Sequence, residues 1–167
     1  MAGLCLLLVT GFAVAMAAPA LNPEGLEFLR LVARDDLLQI EAARLAAAKG
    51  ASPAVQAFAD ATLRSRSRVQ DSLVQLAQRR GVSLPTLIEE RSARHLLDEL
   101  EHESGAQFDL AYSEAMLDAH RAAVRRFEQA AHSDTQDPEV RAFAAEQLPR
   151  LRDYLRMAQT LPSARQG

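Results

Sequence analysis

The side chains that could carry chemistry form a short list: Asp36 or Gln39, Arg66, His120 and Tyr154. Each falls on an apolar stripe of helical period, so each should point into a core. Arg66 lies between Thr62/Leu63 and Val69, His120 lies between Leu117 and Val124, and Tyr154 follows Leu151 by three residues. A di-metal site in a helical bundle needs about four carboxylates and two histidines projecting inward, typically with two Glu-x-x-His pairs among them. These stripes supply one histidine beside an arginine and a tyrosine. A guanidinium repels a cation and has no lone pair to give it.

The inward set Gln39, Arg66, His120 and Tyr154 therefore reads as a structural polar cluster. His120 would be a core histidine hydrogen-bonded to Tyr154 or to an inward acid. An acid such as Asp36 or Glu114 should face Arg66, because an unpaired buried charge costs several kcal/mol. No catalytic, cofactor-binding or metal-binding residue is assigned, and no cofactor is expected. His120 is the one position from which a metal reading could start.

A second group, Glu99–Glu101–His102–Glu103, places Glu99 and His102 at the i, i+3 spacing that aims two side chains at one ion. It lies off the core stripes and reads as a solvated charged face. His95 and His132 read as surface histidines without ligand partners. Asp109 and Tyr112 open a helix, where an acid suits the positive end of the dipole. The chain has no Ser–His–Asp elbow, glycine-rich phosphate loop or cysteine nucleophile setting, and the reading is a non-enzyme.

The elements that must position these residues start from one pattern used twice. Ser52–Pro53–Ala54–Val55–Gln56–Ala57–Phe58–Ala59 is matched by Asp137–Pro138–Glu139–Val140–Arg141–Ala142–Phe143–Ala144, with Leu63 and Leu148 at the same later step. Ser or Asp before Pro is a cap followed by a first helical residue, so one helix start recurs and implies two related hairpins. The first helix begins at Asn22–Pro23, carries Leu29, Val32/Ala33, Ile40, Ala43 and Ala47 on its stripe, and ends at Gly50 through the left-handed conformation glycine accepts.

The second helix buries Val55, Phe58, Ala59, Thr62, Leu63, Val69, Leu73, Leu76 and Ala77 and stops at Arg79–Arg80–Gly81. Residues 82–107 form the connection, with a shorter helix from Thr86 to Glu103 turning Leu87, Ile88, Leu96, Leu97 and Leu100 inward. The third main helix spans 106–131 on a Leu110, Leu117, Val124, Phe127 stripe. The fourth starts at Pro138, buries Val140 through Ala158, and should kink at Pro149, which lacks an amide and crowds the preceding turn. The fold class is all-α: a ferritin-like up-down four-helix bundle over residues 22–161, with a longer, partly helical connection between two hairpins.

Residues 1–21 carry no charge, and the apolar run from Leu4 to Val14 leads to Ala15–Met16–Ala17. Residues 1–20 thus read as a secretory signal cleaved after Ala17 or Ala20. The alternative is a retained N-terminal anchor in the inner membrane. Cys5 is the sole cysteine; without the signal the chain has no thiol, which suits an oxidising compartment. Residues 162–167 are a short tail. The net charge of −3 comes with interspersed signs and no basic tract, which excludes nucleic acid as a partner and leaves an envelope component or another protein.

Several short motifs occur in a specific order: Ala43–Arg44–Leu45–Ala46, the Ser52–Pro53 start through Phe58–Ala59, Gly81–Val82–x–Leu84–Pro85, Phe108–Asp109–x–x–Tyr112, Met116 to His120, Phe127–Glu128, and Leu148–Pro149–x–Leu151. In these, over about residues 26–161, the chain resembles a bacterial family, the domain of unknown function 4142, whose members are often labelled "predicted outer membrane protein". The resemblance implies a ferritin-like four-helix fold in the periplasm or associated with the outer membrane. Such families usually have Glu where this chain has Gln39, an Asp–His pair where it has Ser65–Arg66, an acid where it has Ala119 and His where it has Tyr154. Of the polar core set, His120 is retained. The resemblance implies a scaffold whose metal-binding positions have been lost.

Overall fold

The computed structural model describes residues 20–163, apart from the side chains of Arg66, Ser67 and Arg68. Residues 1–19 of the expected signal segment, Cys5 among them, and residues 164–167 of the tail lie outside the described residues.

Among the described residues five helices follow one another: α1 (Pro23–Lys49), α2 (Pro53–Arg79), α3 (Arg91–His102), α4 (Gly105–His132) and α5 (Pro138–Gln159). Among the described residues there is no strand. The three Pro-led starts are capped as their residue types dictate. The Asn22 side chain accepts from the Gly25 amide at 2.7 Å, Ser52 from Val55 at 3.3 Å and Asp137 from Glu139 at 2.9 Å.

At the end of α2, Gly81 takes the left-handed conformation with φ 64°. The Val82 and Gly81 amides reach back to the Ala77 and Gln78 carbonyls, the bonding of a Schellman motif. Gly50 ends α1 differently from expectation. Its φ is −59°, so backbone handedness does not demand glycine there. A Cβ at Gly50 would fall 2.6 Å from the Ala46 carbonyl oxygen and 2.9 Å from Val55; the last turn of α1 itself, with Val55 of α2 beside it, is what requires glycine.

α1 packs on α2 and on α4, and α5 packs on α4 and on α2. A backbone bridge joins Gly50 to Gly105, so α4 begins beside the end of α1. At the other end the start of α1 meets the α4–α5 turn, where Asn22 donates to the Thr135 carbonyl at 2.7 Å. Arg80, at the end of α2, pairs there with Asp137 at the start of α5. Within the expected bundle the helix directions thus run up, down, down, up, because α3 carries the chain back along the bundle's length.

The core has two apolar clusters, one toward each end. One holds Phe28, Val32, Leu76, Phe127, Val140, Phe143 and Leu148 with their neighbours. The other holds Ala43, Val55, Phe58, Leu100, Phe108, Tyr112, Met116 and Leu161. The repeated helix starts explain the arrangement: Val55–Phe58–Ala59 fills one cluster and Val140–Phe143–Ala144 fills the other.

Several expected stripes are rotated. On α1 the inward line passes through Asp36, Gln39, Ala42/Ala43 and Ala46, which leaves Ile40 half-buried and Ala47 exposed. On α4 it passes through Phe108, Tyr112, Met116, His120, Val124 and Phe127, while Leu110 and Leu117 sit on its flank. The connecting helix starts at Arg91, not Thr86. Thr86 and Ile88 are β-branched, which disfavours helix. Leu87 is 69% exposed, against the expectation that it faces inward. α5 continues through Pro149, which lies on the exposed face.

Candidate functional site

Between the two apolar clusters lies a layer of buried polar side chains. α1 contributes Asp36 and Gln39, 3% and 2% exposed, α2 contributes Thr62, fully buried, and α4 contributes His120, 1% exposed. Tyr154 of α5 reaches the same level and is half-buried. Helical spacing produces the layer. On α1, Ala33 belongs to one cluster and Ala42 to the other, and Asp36 and Gln39 fall between them. On α4, His120 likewise falls between Met116 and Ala123. Four of the five expected inward residues, Asp36, Gln39, His120 and Tyr154, are therefore at one level. Arg66 is on α2 one turn beyond Thr62, and its side chain lies outside the described residues. Glu114 is exposed on α4.

Around His120 the geometry is aromatic. The His120 ring stands perpendicular to Phe58, 5.7 Å between centroids at 87°, and stacks on Tyr154 at 5.7 Å and 20°. Phe58 also meets Tyr154 at 6.1 Å and Tyr112 at 6.3 Å, both edge to face, arrangements that suit the ring quadrupoles. Tyr154 does not hand its proton to His120. Its hydroxyl donates to the Ala61 carbonyl on α2 at 2.8 Å, which ties α5 to α2 at the level of the layer.

The Glu99–His102 pair does not form. His102 Nδ1 is 2.6 Å from its own helix's Asp98 carbonyl, and Glu99 instead lies 3.3 Å from His95, one turn earlier. His95, expected to lack an acid partner, has one at i+4. His132 Nδ1 lies 2.7 Å from the Glu128 carbonyl. Among the described residues no three His, Cys, Asp or Glu side chains come close enough to hold a metal ion.

Two polar contacts escaped the sequence reading. Asp109 is buried, and its two carboxylate oxygens accept from the Ala51 and Ser52 amides at 2.9 and 2.7 Å, so α4 fastens the α1–α2 turn. The other end mirrors this. Glu24 of α1 accepts from the Thr135 and Ser133 hydroxyls at 2.7 and 3.2 Å, so α1 fastens the α4–α5 turn. Each hairpin turn is held by the first helix of the other hairpin. Only the Asp109–x–x–Tyr112 motif hinted at this, and its partners lie over fifty residues away in the chain.

The family model of a domain of unknown function (DUF4142) matches residues 11–161. The chain belongs to that family. No curated protein matches this DUF4142 chain. Its fold is similar to the crystal structure of a DUF305 fragment from Deinococcus radiodurans, with a TM-score of 0.71 and 16% identity over 84% of this chain and 96% of that one. At that identity the likeness between the DUF4142 chain and the DUF305 fragment is one of fold.

Proposed function

We propose that this DUF4142 protein is an exported, non-catalytic bundle of the ferritin-like type, periplasmic or associated with the cell envelope, whose mid-bundle polar layer is structural. The reading rests on the donor set at that level. His120 is boxed by Phe58 and Tyr154, and the Tyr154 hydroxyl is committed to the Ala61 carbonyl. Gln39 offers an amide, and α2 brings an arginine at position 66 where a bundle metal site would need a carboxylate or imidazole. Two antiparallel hairpins joined by one long crossover are the connection that ferritin-like folds share.

Export rests on residues 1–20, uncharged and ending in small residues at Ala15–Met16–Ala17. No helix among the described residues is long and apolar enough to cross a membrane. N-terminal sequencing of protein recovered from a bacterial envelope fraction tests this part. A mature chain beginning at Ala18 or Leu21 supports it, and a retained Met1 supports the anchored alternative.

A second reading has one observation in its favour: His120 and Asp36 are buried in the same layer. On that reading the protein is a ferritin-like metal binder with a degenerate site around His120. Elemental analysis of untagged protein separates the two. The structural reading expects no stoichiometric iron, manganese or zinc, and metal lost on His120→Ala would replace it.

A further inference from the structure

α3 differs from the other helices in how it is attached. It has twelve residues, a length at which an isolated helix is marginal in water. Its N-cap, Glu90, makes no side-chain capping bond, and of its side chains only Leu100 is fully buried. On the α1 side it is fastened at both ends. Arg34 Nε lies 3.0 Å from the Glu90 carboxylate. Lys49 Nζ donates to the Leu100 carbonyl at 3.1 Å and to the Glu101 carbonyl, at the negative end of the helix dipole.

On the α4 side there is instead a cleft of about 610 Å³. Its apolar floor is Leu96 and Leu100 facing Ala111 and Ala115. Its lining brings Asp98 and Glu99 of α3 and Glu103 just after it together with Glu114 and Asp118 of α4, with His95 and His102 beside them and no Lys or Arg among the described lining residues. Arg121 lies 3.4 Å from Asp118 one turn along α4 and offsets part of that charge. Like charges across a cleft repel, which weakens the α4 side of α3 relative to the α1 side, where the Arg34–Glu90 pair and the Lys49 bonds lie. A smaller cleft of about 330 Å³, lined by Leu31, Leu38 and Leu96 among others, runs along the α1 edge, so Leu96 borders both.

We infer that α3 is a strap hinged on its α1 edge, which opens away from α4 as a unit before the four long helices yield. Opening withdraws Leu96, Leu97 and Leu100 from the apolar cluster on which Leu45, Ala111 and Ala115 also pack. Arg34 and Lys49 hold the hinge edge, and the acids that line the cleft on the other side favour opening.

Amide hydrogen exchange on the whole protein, resolved by mass spectrometry of peptides, tests this. Amides of residues 91–102 should exchange at least about tenfold faster than the buried middle stretches of α2 and α4, as a separately opening unit does. Glu114→Lys with Asp118→Lys, both on exposed positions, should slow exchange in α3 at least about threefold while leaving α2 and α5 unchanged. The milder Glu114→Gln with Asp118→Asn should act in the same direction, and Lys49→Met should speed it. Exchange of α3 at the rate of the long helices, or charge-reversed protein exchanging as fast as the parent, overturns the inference.

Discussion

The rings of His120 and Tyr154 stack 5.7 Å apart with 20° between their planes, while the Tyr154 hydroxyl turns away to the Ala61 carbonyl. One residue of α5 thus touches α4 through its face and α2 through its tip. Tyr154→Phe separates the two contacts. It should leave the stack intact and cost about 0.5–1.5 kcal/mol, the net worth of one neutral hydrogen bond, read from the urea midpoint. A loss several times larger would mean that the hydroxyl supports more of the layer than Ala61.

Asp109 is the buried acid on which the α1–α2 turn depends. Asp109→Ala leaves two amides, Ala51 and Ser52, without their acceptor, and bonds to a charged group are worth about 1.5–3 kcal/mol each. A destabilisation of about 3 kcal/mol or more is expected. Asp109→Asn, which keeps one acceptor oxygen, should fall near half of that. Equal losses for the two variants would contradict the two-amide geometry.

The repeated helix starts place Phe58 and Phe143 in opposite clusters, the first against Tyr112, His120 and Tyr154, the second against Phe28 and Phe127. Truncating either to Ala should cost about 3–5 kcal/mol, the range for large-to-small changes at a buried phenylalanine. The clusters are separated by the polar layer, so the two effects should add in the double variant if it still folds, or in a Phe58→Leu/Phe143→Leu pair if it does not. Strong coupling would show that the layer does not divide the core.

Those elements fixed by neighbours in the chain were legible from residues alone. Pro23, Pro53 and Pro138 with their caps marked three helix starts, Gly81 marked one end, and the Phe58–Phe143 echo announced two hairpins. What was misread depended on partners far away. Counting apolar residues drew the α1 stripe toward Ile40 and Ala47, because the true line runs through the polar Asp36 and Gln39. Gly50 looked like a left-handed cap, whereas the neighbouring backbone and Val55 are what exclude a side chain. Asp109 looked like a dipole acid because its amide partners are on another hairpin. The His95–Glu99 contact, by contrast, stood at i, i+4 in plain view. The composition of the polar layer was largely readable; the stacking of His120 on Tyr154 was not, since a stripe specifies direction and not ring orientation.

Arg80 and Asp137 close the bundle end opposite the α1–α2 turn. The Arg80 side chain is 7% exposed and its guanidinium also lies 3.5 Å from Glu139. Arg80→Met should cost about 3 kcal/mol, the low end for removing one partner of a buried pair, because Asp137 keeps its capping bond to the Glu139 amide. In Arg80→Met/Asp137→Asn part of that loss should return, as the stranded charge is removed. A double variant less stable than the sum of the singles would contradict a paired role.

The claim that the polar layer around His120 is structural meets its most direct test in thermal unfolding of untagged protein with EDTA, and with iron, manganese or zinc added. A ligand at about one hundred times its Kd stabilises a fold by about 2.7 kcal/mol, a shift of several degrees for a domain of this size. The account predicts the same Tm in all four conditions, and a lower Tm for His120→Ala that is equally indifferent to metal. A metal-dependent rise in Tm that disappears in His120→Ala would contradict it.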